Sequence, residues 1–175
     1  MWPFQKKDQQ IATLLVYSDK LWLAQWTIDG EQFLINNIAH QQFDHRIFYD
    51  GICFNLSAVH NFMHNIGSCK QLTVAVSYDS PLDAPHYFQS SLMALNSSFT
   101  LIDMLPMHEA EQISLGVHNL YDEDVVAFAY QNKNEFDIKD CLLDKKDSKK
   151  YGKYKDEILI SKGLVLNFCK KKAKL

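Results

Sequence analysis

The sequence predicts an α/β fold, in which a mixed sheet opens with a three-stranded antiparallel meander and helices pack on it. Three observations predict this class. Alternating apolar residues near the start meet at an Asp-Gly turn, and strand-like and helix-like patterns then alternate along the chain. A chain of 175 residues with 47% hydrophobic content is also long and apolar enough to bury one core without disulfides or metals.

The first three strands follow from one apolar run and one hairpin. Residues 11–17 are apolar and partly β-branched and end at a Ser-Asp-Lys turn, which predicts strand one. Residues 21–28 place apolar side chains on alternate faces, and Asp29-Gly30 is a favoured two-residue hairpin turn. Strand three is therefore expected over residues 32–40, antiparallel to strand two.

Helices and strands are predicted to alternate over the middle of the chain. Asn55 can cap a helix that Gly67 ends, and residues 72–76 read as a buried strand. The later elements are a helix around Pro85, a strand over 99–105, a helix from Pro106 to about Leu115 and a strand over 125–130. This order predicts a mixed sheet with helices packed on it.

Charge is divided unevenly along the chain. Residues 1–138 hold 6 Lys and Arg against 16 Asp and Glu, whereas residues 139–175 hold 12 against 5. We therefore predict an α/β domain over 1–138 and a basic, lysine-rich C-terminal segment over 139–175. This segment is expected to be partly flexible, with a loop over 139–157 and a hairpin or short helix over 158–168. It could lie on anionic lipid or nucleic acid, fold back on its acidic body, or simply be solvated.

Composition and motifs exclude several classes of protein. No run approaches the roughly 18 apolar residues of a membrane span, and the first residues lack the apolar region of a signal peptide, so we expect a cytoplasmic protein. The single arginine, Arg46, argues against specific recognition of nucleic acid. Four cysteines without a Cys-x-x-Cys pair read as reduced thiols: Cys53, Cys69, Cys141 and Cys169.

Motifs for nucleotide and hydrolase chemistry do not occur in the sequence. The six glycines form no Gly-x-Gly or Gly-Lys-Ser loop, and no serine lies in Gly-x-Ser-x-Gly. His60 and His64 lie four residues apart on a predicted helix and are the best metal candidates, with Cys53 and Cys69 as conceivable further ligands. Surface or hydrogen-bonded histidines explain the pair better. We therefore expect no catalytic residue, no cofactor and no metal.

Two aspartates and an aromatic group are further candidates. Asp79 and Asp103 lie at the ends of predicted strands, where α/β folds place functional groups, although turn and cap roles explain them equally well. Trp22, Trp26 and Phe33 are candidates for a partner-binding surface, with core packing as the commoner role, and an edge strand beside them could accept a peptide. The candidates for membrane contact are Lys170, Lys171, Lys172 and Lys174.

The order of elements and several stretches of sequence resemble the PilM-type proteins of type IV pilus assembly. The similar stretches are Trp2-Pro3-Phe4-Gln5-Lys6-Lys7, the meander over 11–40, Asp50-Gly51-Ile52 before a helix, Leu72–Val76, Leu92–Leu95 and Phe99–Pro106. The resemblance implies an actin-like or RNase H-like half-fold, because the chain is too short for the whole two-lobed actin-like ATPase. Members that bind ATP carry Asp-x-Gly-Ser after the first strand, whereas this chain has Tyr17-Ser18-Asp19-Lys20.

The resemblance implies a function without chemistry. A PilM-type protein of this kind would be a cytoplasmic scaffold or adaptor that binds a peptide of a membrane-anchored pilus or secretion-system protein and helps to build the inner-membrane platform. One alternative is a small α/β enzyme or metal-binding protein that uses His60 and His64 or the strand-end aspartates. Another is a free-standing peptide-binding or toxin-antitoxin-like module.

Overall fold

The computed structural model describes residues 9–49, 52–77, 99–116 and 131–173. Its strands are β1 (Gln9–Val16), β2 (Lys20–Asp29), β3 (Gln32–Gln42), β4 (Phe48–Tyr49), β5 (Ile52–Cys53), β6 (Gln71–Val76) and β7 (Thr100–Pro106). Its helices are α1 (Leu56–Met63), α2 (Met107–Ser114), α3 (Ser148–Tyr151) and α4 (Lys155–Ala173). The helix predicted around Pro85, the strand predicted over 125–130 and Asp79 lie outside the described residues.

Five strands form one mixed sheet in the order β3-β2-β1-β6-β7. The meander β1-β2-β3 is antiparallel, whereas β6 lies parallel to both β1 and β7. The short strands β4 and β5 pair separately. The predicted fold class, a mixed sheet that opens with an antiparallel meander and carries helices, is therefore confirmed.

The two faces of the sheet bury different helices, because successive side chains of a strand point to opposite faces. One face, here called the α1 face, buries Ala12, Leu14 and Val16 of β1 against Val59 and Phe62 of α1. The opposite face, here called the α4 face, carries the remaining β1 side chains. Its buried apolar residues include Ile11, Leu15, Trp22, Trp26, Ile158, Leu164, Val165 and Phe168.

Helix α4 runs antiparallel to β1 across the sheet. Near its start Glu157 binds Lys20, the first residue of β2, and near its end Lys172 binds Gln9, the first residue of β1. Helix α2 packs beside it at Gly163, where a Cβ atom would lie only 1.8 Å from the carbonyl oxygen of Ala110. A glycine is therefore required for the two helix backbones to approach this closely.

The C-terminal part of the chain differs from its prediction. Residues 158–168 belong to the 19-residue helix α4 and not to a hairpin or short helix. Residues 139–157, predicted as a loop or flexible segment, form short helical turns whose Cys141, Leu142 and Tyr151 are buried. Because α4 shares its hydrophobic cluster with β1 and β2, these residues complete the core. The division of the chain at residue 138 remains a prediction.

Among the helices that the structure describes, none is long and apolar enough to cross a bilayer.

Candidate functional site

The carboxyl ends of β1 and β6 form the point where the sheet topology diverges. From β1 the chain continues to β2 on one side, and from β6 it reaches β7 on the other. Open α/β sheets bind ligands in the crevice at such a point. The two strand ends lie side by side here, since the Ser77 N–H donates to the Val16 carbonyl oxygen at 2.9 Å. This edge of the sheet is therefore the candidate site.

Backbone hydrogen bonds hold the turn that follows β1 against residues 43–47. The carbonyl oxygen of Ser18 accepts a hydrogen bond from the Ile47 N–H at 2.7 Å, and that of Asp19 accepts one from the Phe43 N–H at 2.8 Å. Within the turn, the Tyr17 N–H donates to the Lys20 carbonyl oxygen at 2.9 Å. The turn carries no glycine, so it lacks the residue that lets a phosphate approach the backbone N–H groups of a phosphate-binding loop.

Side chains from β2 and α4 close the same edge around Tyr17. The Lys20 Nζ atom lies 2.9 Å from Glu157 Oε1 and 4.3 Å from the centroid of the Tyr17 ring. The Lys20 and Glu157 side chains are only 22% and 12% exposed, so this ion pair is largely shielded from water. We call Tyr17, Lys20 and Glu157 the Tyr17 cluster.

The Tyr17 cluster contains a protonated phenol and an ammonium group that is already ion-paired. Burial raises the pKa of the Tyr17 phenol, and the carboxylates of Glu157, Asp156 and Glu111 raise this pKa further. The phenol therefore stays protonated at neutral pH and can donate a hydrogen bond, but it cannot act as a base or a nucleophile. Lys20 is already paired with Glu157, so the cluster favours a fastening role over acid-base chemistry.

A second group of polar atoms lies in the middle of the α4 face, fully buried. Thr13 Oγ1 lies 2.6 Å from Ser161 Oγ, and the Trp26 Nε1–H donates to Ser161 Oγ at 2.7 Å and to Thr13 Oγ1 at 3.2 Å. Thr13 and Ser161 are each 0% exposed. Thr73, which pairs with Thr13 across β1 and β6, is equally buried, and its Oγ1 has no hydrogen-bond partner among the described residues.

Asp103 lies in the middle of β7 and not at the end of its strand, which corrects the prediction. Its Oδ2 atom accepts hydrogen bonds from Asn167 at 2.7 Å and from Lys171 at 2.5 Å, and its Oδ1 accepts one from the Met104 N–H at 2.9 Å. The carboxylate is thus used to hold the end of α4 on the sheet. Asp79, the other predicted strand-end aspartate, lies outside the described residues.

The histidine pair lies together, as the sequence spacing predicted. The rings of His60 and His64 are 5.3 Å apart between centroids, and His64 Nδ1 lies 3.2 Å from the Asn61 carbonyl oxygen. Within the described ranges, no group of three or more His, Cys, Asp or Glu side chains could hold a metal ion. Cys53 and Cys69 are free, and burial raises the pKa of both thiols, which favours the neutral form over the metal-binding thiolate.

The aromatic candidates for partner binding are mostly core residues. Trp22 and Trp26 are both 0% exposed, so they have the core role that was expected to be the commoner one, and their candidacy for a binding surface is wrong. The physical reason is their register on β2, which points both rings to the face that α4 covers. Phe33 is half-buried and packs against the same cluster.

The lysine candidates for membrane contact differ in whether they bind other residues of the protein. Lys171 binds Asp103, and Lys172 binds Gln9 Oε1 at 2.6 Å, so these two fold back on the body of the protein. Lys170 is exposed, and Lys174 lies outside the described residues.

Sequence reasoning missed Thr13, Ser161 and Glu157. A signal was present for Thr13, which is the single polar residue within the apolar run of residues 11–16, but Ser161 lies beside Lys162 and Gly163 and does not stand out. The role of Glu157 had no such signal, since it depends on Lys20, 137 positions earlier in the chain.

Comparisons with known proteins bear on the fold. No protein-family model matches the sequence, and no curated protein sequence matches it. Among solved structures, the PPX-GPPA enzyme of Aquifex aeolicus is 9% identical with a TM-score of 0.45, over 62% of this chain and 40% of that one. The ethanolamine utilization protein EutJ of Carboxydothermus hydrogenoformans is 12% identical with a TM-score of 0.48, over 64% of this chain and 42% of that one.

A third solved structure matches over almost the whole length of both chains. The Fowlpox virus resolvase, solved with its substrate Holliday junction DNA, is 14% identical with a TM-score of 0.51, over 93% of this chain and 98% of that one. The chain spans only about 40% of the Aquifex and Carboxydothermus proteins. At such identities the likeness concerns the fold alone: this chain has an actin-like or RNase H-like α/β fold.

Proposed function

We propose that this chain is a non-enzymatic scaffold or adaptor that acts in type IV pilus or secretion-platform assembly. In this role it stays in the cytoplasm, lies peripherally at the inner membrane, and binds a peptide of a membrane-anchored pilus or secretion protein. The pilus assignment is supported by the sequence stretches that resemble PilM-type proteins. The non-enzymatic part is supported by the geometry at the end of β1.

The observation that carries the proposal is the closed edge at Tyr17. A nucleotide bound at a strand end needs open backbone N–H groups and room for its phosphates. Among the described residues, the half-buried Tyr17 ring and the Lys20–Glu157 pair lie at this edge, and the Tyr17 N–H is already bonded to the Lys20 carbonyl oxygen. This edge therefore favours the binding of a partner over nucleotide chemistry.

The edge strand β3 supports the peptide-binding part of the proposal. It is 11 residues long and lies at one edge of the sheet, and its residues 40–42 are exposed. Its outer side is bridged at Ile35 by Leu142, and the Leu143 N–H donates to the Ile35 carbonyl oxygen at 3.4 Å. Beyond Ile35, residues 36–42 leave part of this edge for an extended peptide to add as a further strand.

Nucleotide binding is tested by thermal unfolding with and without ATP and Mg²⁺. We expect no change in Tm, because a ligand stabilises a protein only when it binds the folded state. A shift that rises with ATP concentration and saturates would contradict the non-enzymatic assignment.

The partner is tested by affinity capture of the tagged protein from its native cells in mild detergent, followed by mass spectrometry. We expect single-span inner-membrane pilus or secretion proteins to be recovered, and not with the tag alone. Recovery of soluble proteins only would overturn the pilus assignment and favour a free-standing binding module.

A further inference from the structure

A run of helical turns before α4 presents an exposed basic surface. Residues 145–147, α3 and residues 152–154 follow one another without an intervening loop. Their exposed residues, together with an exposed leucine just before them, are here called the lysine face. It consists of Leu143, Lys145, Lys146, Lys149, Lys150 and Lys153.

The spacing of the lysines places several of them on the solvent-facing side of the helical run. Lys146, Lys149 and Lys153 recur at three or four residues, which places them on one side of a helical run. The other side is fixed to the body by Tyr151, which is 8% exposed, and by the start of α4. The lysines are therefore presented as a surface with a defined orientation.

The lysines of this surface are unpaired within the described residues and outnumber the acidic residues of the same run, Asp144 and Asp147. None of its five lysines forms an ion pair with a residue that the structure describes. The nearby Asp144 accepts a hydrogen bond from the Lys146 N–H at 2.9 Å and caps the turn. Lys150 and Lys153 instead lie over the rings of Tyr151 and Tyr154, at 5.2 Å and 5.1 Å from the centroids. This differs from Lys171 and Lys172, which bind groups on the sheet.

The lysine face also contains one exposed apolar side chain, Leu143. Leu143 is 63% exposed, although its neighbour Leu142 is buried at 3%. Lysines that flank an exposed apolar residue are typical of surfaces that bind anionic membranes, where the charge is attracted to the lipid headgroups and the apolar group enters the interface. Recognition of nucleic acid favours arginine, and the lysine face has none.

We propose that the lysine face binds the anionic surface of a membrane, with Leu143 entering the headgroup region. This inference rests on the proposed function in placing the protein at the inner membrane, and it moves the contact from the C-terminal lysines to residues 143–153. It needs no protein partner. The purified chain alone therefore tests it, and its failure is separate from a failure of partner capture.

The test is sedimentation of the purified full chain with two kinds of vesicle. One is pure phosphatidylcholine, and the other contains about one-third phosphatidylglycerol. We expect binding to the anionic vesicles only, weakening as salt is added. Each lysine near an anionic surface contributes about fivefold to the binding constant, so Lys149→Glu with Lys150→Glu is expected to weaken binding by about 25-fold or more.

The matched control reverses two exposed lysines outside the lysine face, Lys70→Glu with Lys170→Glu, and has the same net charge as the test variant. We expect it to retain binding close to that of the unmodified chain. Leu143→Ser is expected to weaken binding most at high salt, where the apolar contact contributes the larger share. Circular dichroism of each variant checks that the fold is intact.

Three results would overturn the proposal. They are no binding to anionic vesicles, an equal loss in the test and control variants, and binding to a DNA duplex that exceeds binding to anionic vesicles and is lost in the Lys149→Glu, Lys150→Glu variant. The last result would assign the lysine face to nucleic acid.

Discussion

The two faces of the central sheet are held by different kinds of contact. The buried cluster of the α1 face consists of apolar side chains and a cysteine. The α4 face adds the hydrogen-bonded group of Thr13, Trp26 and Ser161, and the backbone contact at Gly163. Apolar packing accepts many helices of suitable volume, whereas paired polar groups and a required glycine accept one helix in one position. The difference indicates that α4 is specified far more tightly than α1.

The largest expected effect on stability compares the two faces at two neighbouring residues of β1. Leu14 and Leu15 are both fully buried, Leu14 on the α1 face and Leu15 on the α4 face. Replacing either with alanine should lower the free energy of unfolding by about 2–5 kcal/mol. Because the α4 face is fixed by specific contacts and collapses less around a cavity, we expect Leu15→Ala to cost the more by about 1 kcal/mol. Urea denaturation measures both values, and a larger cost for Leu14→Ala would refute the comparison.

The contact between α2 and α4 gives the next effect. Gly163→Ala places a Cβ atom against the Ala110 carbonyl, so the helices must separate, at a cost of about 3 kcal/mol. Gly152→Ala is the control, because a Cβ atom there meets nothing within 4 Å and the backbone is helical, so it should raise the free energy of unfolding by about 0.4–1 kcal/mol. Denaturant unfolding of the two variants compares them, and equal stabilities would show that α4 is free to shift.

The polar group beneath α4 predicts stability changes of opposite sign when Thr13 and Thr73, which pair across β1 and β6, are each replaced by valine. Thr13→Val removes a partner from both Ser161 and Trp26, and should lower the free energy of unfolding by about 1–2 kcal/mol. Thr73→Val removes a buried hydroxyl that has no partner among the described residues, and should raise it by up to about 1 kcal/mol. If both variants lose stability equally in thermal unfolding, the polar group does not distinguish this face.

The smallest effect concerns the pH dependence of stability. Above about pH 10 an unfolded tyrosine loses its proton, whereas the raised pKa of Tyr17 keeps the folded residue protonated. Deprotonation then favours the unfolded chain, so the contribution of Tyr17 is complete below this pH and is lost as the pH rises. Near pH 11 the native chain should have lost about 1 kcal/mol more than Tyr17→Phe. Parallel pH profiles of the two proteins would show that burial and the neighbouring carboxylates do not raise the pKa of Tyr17.

Much of the sheet could be predicted from local pattern, and the helix α4 could not. The hairpin between β2 and β3 and the alternation along β2 depend on neighbouring residues, and the structure has both. The hairpin's two turn residues are Gly30 and Glu31, one position later than the predicted Asp29-Gly30, because Asp29 still pairs with Gln32. Residues 158–168 have two apolar runs around Ser161-Lys162-Gly163, which suits a hairpin turn as well as a helix. The choice is made by distant contacts, since Gly163 meets Ala110 and Ser161 meets Thr13.

The candidate site shows the same limit. The missing glycine after β1 was visible in the sequence, and it indicated that a nucleotide loop is lacking there. The side chains that close this edge come from β2 and α4, and no local pattern places Glu157 beside Lys20. The two tryptophans kept a surface role as an open alternative to the core, because alternation shows which residues share a face, but not whether that face is covered.

The distance along the chain between β1 and α4 has a consequence for synthesis. Thr13 and Ser161 are separated by 148 positions, and a ribosome adds about 5–20 residues per second. The α4 face of the meander therefore waits roughly ten seconds or longer for its helix, with Trp22 and Trp26 uncovered in the nascent chain. During that interval the emerging protein presents an apolar sheet to chaperones and to other nascent chains, and it can reach its native topology only when α4 leaves the ribosome.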